Sequence, residues 1–133
     1  MTRTTLATGL AALVLCLGAG QASAAVTEDQ FQIRNTGELA ALCAADPAEA
    51  LGTAALNFCH GYAIGAYQVL VEAQAAPRAR QMFCMPKPEP TRNQTIAAFV
   101  QWARANQARL ALPPSDGVAR FLSQTYPCPA PKR

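Results

Sequence analysis

The side chains in this 133-residue chain with the most chemistry to offer are Cys43, Cys59, Cys84 and Cys128, together with the single histidine, His60. Those residue types support three chemistries: cystine formation, a zinc site, or a thiolate activated by an imidazole. Zinc wants closely spaced ligand pairs, and here the gaps between cysteines are long, with no CxxC. A Cys59–His60 nucleophile fails on geometry, because neighbours on a helix point about 100° apart and do not face each other. Past the N-terminal segment the only serines are Ser115 and Ser123, Ser115 is better explained as a helix cap, and the carboxylates Glu72, Glu89 and Asp116 fall on different elements. No glycine-rich phosphate loop follows a strand. The chain therefore reads as a non-enzyme without metal or cofactor, and its cysteines as a disulfide framework.

Cystines require an oxidising compartment. The N-terminus supplies a route to one: Arg3, an apolar run from Leu6 to Leu17, and Ala22-Ser23-Ala24 ahead of Ala25 have the form of an export signal cleaved after Ala24. Gly18 and Gly20 interrupt the apolar run, which is too short for the roughly 20 residues of a membrane span. The fifth cysteine, Cys16, follows Leu13-Val14-Leu15 rather than a small residue and belongs to the leader. Residues 1–24 are thus assigned to the signal and 25–133 to a single domain, placed in the periplasm with no membrane span after processing. The net charge of +3 is carried by scattered arginines, not by the basic run of a nucleic-acid footprint.

The elements that must position these cysteines are helical. Asn35 and Glu38 form a capping pattern ahead of Leu39, Leu42 and Cys43. A second helix is expected from just after Gly52 to about Ala75, with Leu56, Cys59, Ala63, Ala66 and Leu70 at helical spacing. Pro86 to Pro90 is a connector. Thr91 and Gln94 make the clearest capping box, opening a third helix that carries Ile96, Phe99, Val100 and Ala103 and stops by Leu112. After Pro113-Pro114, Ser115 is expected to cap a fourth helix bearing Val118, Phe121 and Leu122. Strand alternation is lacking. The expectation is an all-α, disulfide-stapled bundle of about four helices, with Val26 to Arg34 loosely attached.

Four cysteines allow three pairings. If helices two, three and four run up, down and up, Cys128 returns to the end where Cys84 emerges. This favours Cys84–Cys128 and leaves Cys43–Cys59 to tie the first helix to the second. In the chain-entropy treatment these loops contribute about 4 and about 3 kcal/mol respectively.

Gly61 and Gly65, four residues apart around Tyr62, would let another helix approach closely. Packing inside the core is the first reading, with a cost of about 1–3 kcal/mol expected for Gly65→Leu, and a homodimer seam is the second. Trp102 sits between the apolar and polar faces of the third helix, as a core residue first and an exposed anchor second.

Four phrases, Glu38-Leu39 to Cys43, Cys59-His60-Gly61-Tyr62 with Gly65, Phe83-Cys84-Met85-Pro86, and Tyr126-Pro127-Cys128, together resemble the periplasmic immunity proteins of type VI secretion amidase effectors, the Tai or Rap group. The resemblance implies a small helical protein that binds a peptidoglycan amidase and blocks its cleft. It carries over no binding residues. From the residues alone, the partner-binding candidates are the Gln74 to Gln81 loop with Arg78 and Arg80, and the face around Trp102 and Arg104. The alternatives are an acid-stress chaperone of the small helical HdeA type and an orphan envelope-binding domain of the same fold.

Overall fold

The computed structural model describes residues 24–130; the export-signal reading lies outside the described residues except at Ala24. Among the described residues the chain is helical without strands. A short 3-10 helix, Glu28–Gln32, leads into α1 (Thr36–Cys43), α2 (Gly52–Ala75), α3 (Arg92–Arg104), α4 (Gln107–Leu110) and α5 (Pro114–Thr125).

Helix α1 is the hub, packed by α2, α3, α4 and α5. Asn35 caps it, accepting from the Glu38 amide at 2.9 Å. The Glu38 carboxylate turns outward instead of completing the box, and accepts from the backbone amide and the guanidinium of Arg34. Thr36, fully buried, pins the start of α1 to the α4–α5 junction: its amide donates to the Leu112 carbonyl at 2.8 Å, and its hydroxyl lies 3.0 Å from that oxygen and 3.2 Å from the Pro113 carbonyl. Gly117 of α5 passes so close that a Cβ there would sit 2.1 Å from the Thr36 hydroxyl. The core is built on this joint, from Leu39 and Leu42 of α1, Phe99 of α3, and Phe121 and Leu122 of α5.

Helix α2 is used unevenly. It starts in a tight turn, where a side chain at Gly52 would collide with the Asp46 carbonyl, and its first turns bury Ala55 and Cys59. No residue after Cys59 is fully buried; Tyr62, Ala63, Ala66, Tyr67, Leu70 and Val71 only lean on the core. Beyond Ala75 the chain turns back through a connector organised by one side chain. The Gln74 carboxamide accepts from the amides of Met82 and Phe83 at 3.1 and 3.4 Å and donates to the Phe83 carbonyl at 3.3 Å. Phe83 is thereby delivered into the core, 1% exposed, with Tyr67 against its ring.

The structure pairs Cys43 with Cys59 and Cys84 with Cys128, the pairing that chain direction favours. Both halves of the Thr91–Gln94 capping box form, and α2 spans the expected residues. Other expectations need correction. Ser115 is not a cap: Pro113 occupies that position and Pro114 opens α5 at N1, where its missing N–H costs nothing. The third helix does stop before Leu112, at Arg104, and Asn106 caps a separate turn, α4, that the sequence did not announce. Val26 to Arg34 is not loose. Phe31 meets the Phe58 ring edge-on at 5.6 Å, and Arg34 bridges Asp29 and Glu38.

Candidate functional site

Because α2 rests on α1 and α5 but scarcely touches α3, a space opens between them. The connector bridges it without filling it. The result is a mostly apolar groove of about 320 Å³. Ala63, Ile64 and Tyr67 of α2 form one wall, Ile96 and Phe99 of α3 the other, and Phe121 and Leu122 of α5 the floor, with Met85 and Pro90 roofing one end. Of the residues α2 contributes to the lining, Ala63 is the small one and leaves space beside it.

Gln68, Glu89, Arg92 and Thr95 make the polar rim. Burial holds the Tyr67 phenol above the ordinary tyrosine range, and the nearby Glu89 charge adds to the effect. Arg92 occupies the first position of α3, whose first turn contains no acidic residue, and it makes no ion pair among the described residues. The Thr95 hydroxyl is turned back to the Thr91 carbonyl at 3.1 Å.

The residues chosen from sequence do not converge. Arg78 and Arg80 lie exposed on the connector, Arg78 with a left-handed φ of 65° that non-glycine residues seldom adopt. Trp102 is half-buried, packed on Phe99 and Phe121, with its indole N–H donated to Gln124 at 2.9 Å. The Arg109 guanidinium lies 4.6 Å from the centroid of its ring and donates to its backbone carbonyl at 2.7 Å. Arg104, two positions on and about 200° around the helix, borders instead a hollow of about 300 Å³ of mixed lining, with Ala41, Asp46 and Glu49. These are three separate places.

Gly61 and Gly65 correct the sequence reading most sharply. Both are exposed, and a Cβ at either would meet nothing within 4 Å, so they do not serve close packing inside this chain. Tyr62, between them, packs against the edge of the core, where burial raises its phenol pKa. Cys59, bonded to Cys43, offers His60 no thiol. The groove itself, with Tyr67, Glu89 and Arg92, escaped sequence reasoning. Its one signal was the run of small residues on α2 opposite a proline-held connector.

The chain was compared with known proteins. The family described as Rap1a immunity proteins matches residues 35–128, from the cap of α1 to the last cysteine. No curated protein and no solved structure matches the chain.

Proposed function

This chain belongs to the Rap1a immunity proteins, and from that premise we propose that it is exported to the periplasm, binds a peptidoglycan amidase delivered by type VI secretion, and blocks its cleft. The observation that carries the reading is the family match across the whole stapled bundle, residues 35–128. The physical design agrees with it. A protein that inhibits by occupying a cleft gains from rigidity, since ordering flexible segments on binding would cost affinity. Two cystines lower that cost here. Cystines also fit an oxidising compartment, and no described helix is long and apolar enough to cross a membrane.

The proposal assigns the protein no catalytic step. A second copy would find room along α2 at Gly61 and Gly65, where backbones can approach closely, flanked by Phe58 and Val69, which are 36% and 64% exposed. The amidase reading is tested by adding the oxidised protein, residues 25–133, to purified type VI amidases and following peptidoglycan cleavage. Loss of activity at equimolar protein is the expected result. Undiminished cleavage across all amidases tried would refute the amidase as partner while leaving the family assignment intact.

A further inference from the structure

We infer that the groove between α2, the connector, α3 and α5 is a slot for an apolar side chain on an extended segment of the partner protein, with a neighbouring carboxylate of that segment meeting Arg92 at the mouth.

Size and lining set the first half of this assignment. About 320 Å³ lies at the small end of ligand sites and suits one aromatic or branched side chain with its flanking backbone. The surfaces it would touch are the bundle's own core, Ile96, Phe99 and Phe121, each at most 7% exposed. Such a floor is already ordered, so an entering side chain is desolvated against a rigid surface, the setting in which anchor residues contribute most.

Charge sets the second half. The N-terminus of a helix is a positive pole, where a cation is unfavourable and an anion favoured. Yet Arg92 stands there, no acidic residue shares the first turn, and none pairs with it among the described residues. Lys87 on the connector between Met85 and Glu89 likewise makes no ion pair among the described residues. Asp29 and Glu38, by contrast, are already committed to Arg34. The groove mouth is therefore an apolar site at whose rim a partner's carboxylate finds a guanidinium not held in an ion pair among the described residues. Glu89 and Gln68 on the same rim favour a peptide over an anionic amphiphile: their side-chain oxygens can accept from backbone amides, which an amphiphile lacks. With the immunity reading as premise, the segment belongs to the amidase.

The test selects random phage-displayed peptides on the oxidised protein after clearing against Thr95→Trp, which fills the groove from α3. Enriched peptides should pair an aromatic or branched residue with a nearby Asp or Glu. Their binding should weaken at least about tenfold on Thr95→Trp, on Ala63→Trp and on Arg92→Glu. Arg92 is exposed, so its substitution leaves the core intact and keeps the test decisive if a filled variant misfolds. Peptides that lack an acid and ignore Arg92→Glu, no enrichment over the filled variant, or binding of decanoate in their place would each overturn the slot. An amidase inhibited equally by wild type and Thr95→Trp would also overturn it while upholding the immunity reading. Selected peptides with no amidase bound would uphold the slot as a peptide site and refute the amidase as its source.

Discussion

The two cystines staple regions of opposite character. Around Cys43–Cys59 the sulfurs are sunk in the core, with Cys59 wholly inaccessible and Cys43 8% exposed. Around Cys84–Cys128 both residues are half-buried, and the neighbouring chain is a connector held by Gln74, by Phe83 and by one bond from the Cys84 amide to the Tyr126 carbonyl at 2.8 Å. The first region is rigid because it is packed. The second is held by its ties, since the groove it borders takes packing away from α2. A surface that receives a partner needs that unfilled space, and a cross-link is the means of keeping it open without losing order.

The largest effects should come from cutting each tie. Loop length ranks Cys84–Cys128 first, at about 4 kcal/mol against about 3 for Cys43–Cys59. Burial narrows the difference, because Cys43→Ala with Cys59→Ala also leaves a core cavity worth about 1–2 kcal/mol. The totals should be similar and their distribution different. Amide exchange should quicken throughout α1 and α3 when the buried pair is removed, but mainly in the connector and the last turn of α5 when Cys84 and Cys128 become Ala. Equal loss of protection everywhere in both variants would break the distinction between a packed and a tied region.

The glycines sharpen it next. Gly117→Ala drives a methyl into a Thr36 hydroxyl held by two carbonyls, so thermal melting should report a loss of about 1–3 kcal/mol despite the better helix former. Gly61→Ala and Gly65→Ala on α2 meet only solvent and should each raise stability by about 0.5–1 kcal/mol. A fall in melting temperature for Gly65→Ala would show that the outer face of α2 is covered, as in a homodimer seam.

These glycines also mark the limit of what sequence could tell. Caps, proline breaks and the 3.6-residue apolar period are local signals, so Asn35, Thr91 with Gln94, and the span of α2 were legible. Chain direction then sufficed for the cystine pairing. Whether a helical glycine meets another backbone depends on which side of its helix is inside, and Gly61, Gly65 and Gly117 look alike until neighbours are placed. The groove was hidden for the same reason: it is an absence of side chains between α2 and α3, and only Ala63 hinted at it. The Arg34 bridge escaped because its partners Asp29 and Glu38 belong to separate elements whose approach no periodicity records.

Gln74→Ala tests the tied region with a smaller effect. It removes one acceptor from two connector amides and one donor from the Phe83 carbonyl, at a cost of about 1 kcal/mol. Proteolysis between Ala76 and Met82 should accelerate while the melting temperature moves little. A large fall in melting temperature would mean that Phe83 loses its seat and that the connector is part of the packed core.

Acid should reach the packed region through its edge. Hydrogen bonds from Arg34 hold the Glu38 carboxyl below its ordinary pKa of 4.5, with partial burial opposing. A carboxyl whose folded pKa is depressed adds stability that is present above its unfolded pKa and is lost as pH falls through the lowered folded value. The bridge that fastens the 3-10 helix to α1 should therefore act at neutral pH and fade below about pH 4. Arg34→Ala should melt below wild type at pH 7, and the gap should close at pH 3, where Glu38 is losing its charge in both proteins. The effect is the smallest of the series, because the pair faces solvent and salt screens it. A gap that persists unchanged at pH 3 would assign the attachment to the Phe31–Phe58 contact and the apolar stem of Arg34, making this edge packed rather than charged.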